Sequence, residues 1–176
     1  MKTLVLVVDT REQKPFWTGS ECYKKPLIIG DYTTHELEGR YHIERKSPAD
    51  LYGTITTGHR RFRDEIVRAW DNKVRFSVFV ECSREDFVAK NFGGGSRLKV
   101  KPEQLDKIIV TMEKRYKLEF VWHKNRTHCK KAAYDRLFME QMLLFKKKKI
   151  VPIRIPRSTI SSARVKSVKE KLRKKK

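Results

Sequence analysis

Three side chains early in the chain have the types and spacing for phosphodiester chemistry: Asp31, Glu44 and Lys46. The stretch Arg40 to Lys46 alternates, with Tyr41 and Ile43 on one face and His42, Glu44 and Lys46 on the other. Read as a strand, it points Glu44 and Lys46 the same way. Gly30-Asp31-Tyr32 upstream reads as a turn that brings a second carboxylate. Two carboxylates beside an ammonium suit Mg²⁺, which takes one or two protein carboxylates plus waters and phosphate oxygens; Mn²⁺ is the expected substitute. Such an ion orients a phosphodiester, lowers the pKa of a bound water and neutralises the leaving oxygen. Lys46 has the charge to position that water or to stabilise the transition state.

The surrounding elements must bring these groups together. Leu4 to Val8 is a continuous apolar run, expected to be a buried central strand that delivers Asp9 at its end. Arg11 and Glu12 follow, either binding phosphate and supporting the site or pairing with each other. Lys14 to Pro26 reads as a loop anchored by Phe16 and Trp17. Leu27 to Ile29 is expected to start a strand leading into the Gly-Asp turn, and Glu38-Gly39 to turn a hairpin back into the Glu44 strand. Ser47-Pro48 starts a helix, with Ser as N-cap and Pro in the first turn. Asp50 therefore admits two readings, a capping carboxylate or a group near the metal.

After an interruption near Gly58, Phe62, Ile66 and Trp70 form a helical stripe beside Arg60, Arg61 and Arg63. Arg75 to Glu81 reads as a strand ending in another carboxylate, a candidate for the site or a strand-end charge. Gly93-Gly94-Gly95-Ser96 precedes Arg97, Lys99 and Lys101 without the spacing of a P-loop; a basic loop closing on nucleic acid and a plain connector both fit. Pro102 opens a helix bearing Leu105, Ile108, Ile109 and Met112. Leu118 to Trp122 is a strand, and Thr127 is the expected cap of a last helix. That helix carries one apolar track of Ala133, Leu137 and Leu144 and a second of Tyr134, Phe138, Met142 and Phe145. One track docks on the sheet; the second is free to meet another copy. The order of elements gives an α/β layer with a mixed sheet.

The chain has 176 residues, 42 Lys and Arg against 21 Asp and Glu, and a net charge of +21, which implies a polyanionic partner. Residues 146–176 hold 14 of those basic residues and one Glu, so most of the excess lies in a tail. The expected organisation is one domain over residues 1–149 and a basic tail over 150–176 that adds sequence-blind DNA affinity. No apolar run is long enough to span a membrane and no signal-peptide pattern opens the chain, so the expectation is an intracellular protein. Cys22, Cys82 and Cys129 are too scattered for a disulfide framework or a zinc site.

Taken together, Gly30-Asp31, Glu44-Arg45-Lys46 and, after three residues, Asp50 resemble the GD-x(n)-ERK-x(3)-D signature of the XPF family of structure-specific endonucleases, a branch of the PD-(D/E)xK superfamily. Asp9-Thr10-Arg11-Glu12 is similar to that family's first acidic motif, and Gly58-His59-Arg60 to its Gly-Arg element. The likeness covers roughly residues 3 to 145. It implies a restriction-endonuclease-like mixed central sheet flanked by helices and a Mg²⁺-dependent endonuclease acting on DNA, in particular at junctions, forks or flaps in repair, recombination or replication. Asp31 and Glu44, assisted by Asp9 and the Arg45 carbonyl, would hold the metal, and Lys46 would orient the water. Arg11, Arg45, Asp50, Arg60, Arg97 and Lys99 would contact phosphate or brace the site. The resemblance further implies a homodimer through the helix at 127–145. Many members carry a tandem helix-hairpin-helix module, and no such pattern occurs here. The alternative is a noncatalytic DNA-binding or scaffolding module of the same fold.

Overall fold

The structure is a computed structural model in which residues 4–93 and 99–150 are described. Gly94, Gly95, Ser96 and Arg97, and the tail beyond residue 150, lie outside them. Contacts divide the chain into Met1–Leu144 and Phe145–Lys176; the sheet and the candidate site belong to the first unit.

Six strands form one mixed sheet: β1 (Leu6–Asp9), β2 (Cys22–Lys25), β3 (Tyr32–Thr34), β4 (Tyr41–Lys46), β5 (Arg75–Val80) and β6 (Glu119–Trp122), in the order β2-β1-β3-β4-β5-β6. β3 runs antiparallel to both β1 and β4, while β4, β5 and β6 are parallel. The helices are α1 (Pro48–Ile55), α2 (His59–Asp71), α3 (Arg84–Val88), α4 (Pro102–Tyr116) and α5 (Arg126–Ile150). This is the expected α/β layer, and its core lies in two parts. Ile55, Phe62, Ile66, Leu105 and Ile109 pack with Val78 and Val80 in one. Ala133 and Leu137 of α5 pack with Tyr41, Ile43 and Phe79 in the other. Alternation along β4 thus sends Tyr41 and Ile43 toward α5 and leaves Glu44 and Lys46 for the side of α1 and α2.

Several elements differ from expectation. Leu27 to Ile29 is not a strand; the second strand is Cys22–Lys25, inside the expected loop, paired in parallel with β1. Tyr23, Lys24 and Lys25 are exposed there, so the ladder rather than an apolar pattern makes this edge strand. The Gly-Asp turn consequently opens β3 instead of closing a strand. On α2 the buried position is Ala69, whereas Trp70 is half-exposed at 50% and lies against the rim of Tyr116. α3 was not expected; Ser83 caps it by accepting from the Asp86 amide. Asn125 takes the capping place expected of Thr127, its Oδ1 accepting from the His128 amide at 3.1 Å, and Asn is at least as good an N-cap as Thr. Phe16 and Trp17 are core, Phe16 stacking on Tyr32 and Trp17 meeting it edge-on. The three cysteines are free, and burial pushes the Cys82 and Cys129 thiols up to about 12.

Candidate active site

The Gly30-Asp31 turn is built against β4. Gly30 has φ +70°, and a Cβ there would stand 3.0 Å from the Ile43 carbonyl oxygen; glycine is required both by the left-handed backbone and by the close approach. The Asp31 amide donates to the Ile43 carbonyl at 2.8 Å, and the Asp31 carbonyl accepts from the Asp9 amide at 2.8 Å, tying the turn to both neighbouring strands. The Arg45 amide then donates to Asp31 Oδ2 at 2.7 Å. Because the N–H and C=O of one strand residue share an edge, the Arg45 carbonyl lies on the Asp31 side as well.

Glu44 and Lys46 face the same way, with Lys46 Nζ 2.5 Å from Glu44 Oε1. Lys46 also stands over the Phe62 ring of α2, 5.9 Å from its centre. Burial, and then the neighbouring Glu44 charge, push the Asp31 carboxyl well above the usual range. Burial pushes Glu44 up too, even beside Lys46. Lys46 is held above its ordinary value, burial being outweighed by Glu44 and Asp31. Among the described residues no group of three or more His, Cys, Asp and Glu is close enough to hold a metal. The groups that could hold a hard cation here are the Asp31 and Glu44 carboxylates and the Arg45 carbonyl, a set that would leave such an ion most of its waters.

Beside Lys46 opens a cleft of about 480 Å³, lined also by Asp50, Gly53, Gly58, Arg61 and Glu65. Arg61, not Arg60, lines it. Glu65, which no sequence motif marks, makes its charge felt at Glu44, Lys46 and Arg11. The i,i+4 spacing of Arg61 and Glu65 is the signal that could have marked both. Asp50 joins the cap of α1, where Ser47 Oγ donates to its carboxylate at 2.6 Å and accepts from its amide, and it also lines the cleft. Lys99 is exposed, and Arg97 lies outside the described residues.

The other acidic groups are committed elsewhere. Asp9 accepts four hydrogen bonds, three from Arg11 and one from the Leu27 amide at 2.6 Å. Against the upward push of burial, these bonds hold its pKa below the ordinary value. Arg11 and Glu12 do not pair with each other. Arg45 reaches Glu12 at 3.0 Å and Glu81 at 3.2 Å, and Glu81 also takes Arg126 at 2.5 Å. Arg126 further donates to the Lys14 carbonyl at 2.6 Å and covers the Phe16 ring. Glu81 is thus part of a bracing network.

Two solved structures of XPF from Aeropyrum pernix share this architecture. One superposes with a TM-score of 0.59 at 15% identity, over 82% of this chain and 68% of that one. The fold is that of XPF. The second XPF structure, a complex with DNA, gives a TM-score of 0.54 at 19% identity, over 86% of this chain and 70% of that one. No family model and no curated protein matches the chain. The XPF fold accounts for the mixed sheet and its helices, and the residues of the cleft carry the rest of the case.

Proposed function

We propose that the chain is a divalent-metal-dependent endonuclease acting on DNA at branches such as flaps, forks or junctions. One observation carries the reading: Asp31 and Glu44 are brought together by a glycine turn, both driven toward the neutral form by burial, with Lys46 paired to Glu44. Keeping like charges buried is costly unless a cation joins them. Mg²⁺ or Mn²⁺ held by Asp31, Glu44 and the Arg45 carbonyl would supply Lewis acidity and a bound water of lowered pKa. Lys46 Nζ orients the attacking water or a phosphate oxygen at the mouth of the cleft. Arg61 across the cleft neutralises the incoming phosphate. Asp9 acts through Arg11, whose guanidinium it fixes, rather than by binding the ion. Arg45 braces β4 through Glu12 and Glu81. Lys99, with Arg97 and the basic tail, adds sequence-blind affinity. The cellular setting that suits the activity is repair, recombination or replication.

The α5 helix supports the proposed homodimer. Ala133 and Leu137 are spent on the sheet; of the second track Tyr134 and Met142 are exposed and Phe138 and Phe145 half-buried, with Met139 and Leu143 also exposed. Sedimentation at micromolar protein should give a dimer; a monomer removes this part of the proposal. Among the described residues no helix is long and apolar enough to cross a membrane.

The deciding experiment is cleavage of end-labelled flap, fork, four-way junction and linear duplex with Mg²⁺, Mn²⁺ or EDTA. Cutting should need the metal, favour branched DNA and fall by about a thousandfold or more in Asp31→Asn, the scale of losing a metal-centred electrostatic contribution. Tight binding with no cutting under either metal would establish the noncatalytic module instead.

A further inference from the structure

A second concavity lies on the far side of the α1–α2 junction from the cleft. It is a groove of about 710 Å³ between that junction and α4. Gly53, Thr54 and Gly58 line the cleft, and Ile55, Thr56 and His59, from the same stretch of chain, line the groove. The lining is apolar, with half-buried Ile108 and Val100 as its accessible surface over the buried Ile55, Met112 and Tyr116. Lys107 and Arg115 stand on its rim, and no carboxylate is among the described residues that line it.

That charge pattern follows from the phase of α4. Gln104, Lys107, Thr111 and Arg115 recur at helical spacing along the groove, whereas Asp106 and Glu113, on another side of the helix, face Arg84 at 2.8 and 3.9 Å. The helix thus turns two of its acids, Asp106 and Glu113, toward α3 and two of its three cations, Lys107 and Arg115, toward the groove. Val100, just before α4, also lines the groove, fixed there by its amide, which donates a hydrogen bond to the Tyr52 hydroxyl at 3.0 Å, and flanked by the exposed Lys99 and Lys101. An apolar floor under a cationic rim is the chemistry of single-stranded nucleic acid, whose bases need apolar cover and whose phosphates need neutralising. A stacked duplex exposes backbone and base edges but no base face for such a floor.

We propose that this groove holds the unpaired strand of a branched DNA, with bases over Ile108 and Val100 and phosphates on Lys107 and Arg115, while the duplex occupies the cleft. The inference rests on the cleft being a DNA site. It gives the chain a reader of branches within the nuclease fold.

The test is equilibrium binding in EDTA of the full chain to a fluorescent duplex with an unpaired arm and to the blunt duplex alone, across a salt series. The variants are Lys107→Gln with Arg115→Gln and, separately, Thr111→Glu, which places a carboxylate over the floor; all three positions are exposed on α4. With two single-strand phosphate contacts removed, the slope of log affinity against log salt for the armed DNA should shrink by about 1.4. Affinity for the armed DNA should fall by about fivefold or more in both proteins, with blunt duplex held within about twofold. Equal losses on both substrates would reduce the groove to part of a general positive field, and no loss on either would end the proposal. A change in sedimentation in place of a change in DNA binding would make the groove a contact between copies, and also overturn it. The readout needs no cleavage, so the two readings fail separately. A wild-type chain that never cuts but shows groove-dependent arm preference overturns only the endonuclease; one that cuts but lacks that preference overturns only the groove.

Discussion

On one face of β4, Arg45 is met by Glu12 and Glu81, with Arg126 completing a balanced set of two acids and two bases. On the other face, Lys46 pairs with Glu44 while Asp31 and Glu44 repel each other and the charge of Glu65 is added from α2. Adjacent residues of one strand thus handle buried charge in opposite ways. Balance on the first side makes the network a brace that holds β1, β4, β5 and the start of α5 in register. Imbalance on the second is a standing electrostatic cost, of the kind tolerated where a cation or a phosphate is to arrive.

The comparison breaks most visibly at Arg45. Arg45→Met leaves Glu12 and Glu81 buried without their shared partner and should destabilise the fold by about 3–5 kcal/mol. Urea midpoints measure it. A change below about 1 kcal/mol would mean that the network is decoration and that the two faces do not differ in kind.

Asp31→Asn should act in the opposite direction. The amide oxygen still accepts from the Arg45 amide while the repulsion with Glu44 is gone, so the metal-free variant should be more stable than the parent by about 1–2 kcal/mol. The parent should recover through linkage as Mg²⁺ is added, and the variant should not respond. A variant less stable than the metal-free parent would show that the carboxylate is structural and would place both faces in the same class.

How much of this could be read from the sequence depends on the range of the interaction. Alternation from Arg40 to Lys46 is local, and it placed Glu44 beside Lys46 and Arg45 opposite them. The Gly30 turn was visible as a Gly-Asp pair, although not its direction, because the preceding strand is Cys22–Lys25, whose exposed Tyr-Lys-Lys pattern has no apolar period. The brace was illegible: Glu12, Glu81 and Arg126 lie far from Arg45 along the chain, and nothing local in Glu81 distinguishes a brace from a ligand. Choosing between Arg60 and Arg61 required the phase of α2, and one residue of error after the break at Gly58 turns a side chain by about 100°.

Asp9 sharpens the comparison with a smaller effect. Its pKa is depressed, so it contributes stability that is present above the ordinary carboxylate value of about 3.9 and lost as pH falls through its lower folded-state value. The parent should therefore lose its advantage over Asp9→Asn as pH falls below about 4. Parallel stability curves for the two proteins across that range would show that the Arg11 and Leu27 bonds do not hold Asp9 ionised, and would return it to the unbalanced group.

The smallest effects separate cap from cleft at the start of α1. Ser47→Ala removes the hydroxyl that caps the Asp50 amide and should cost about 1 kcal/mol of stability, with the cleavage rate of the folded protein unchanged. Asp50→Asn keeps an oxygen for the Ser47 hydroxyl and should leave stability alone, yet it removes a negative charge from the wall of the cleft. If Asp50 only caps, both variants cut like the parent. If its charge helps to place the phosphate or the ion, Asp50→Asn lowers the rate or raises the Mg²⁺ concentration needed, while Ser47→Ala does neither. Divergence of the two would assign Asp50 to the unbalanced face of β4, extending it by one turn of helix.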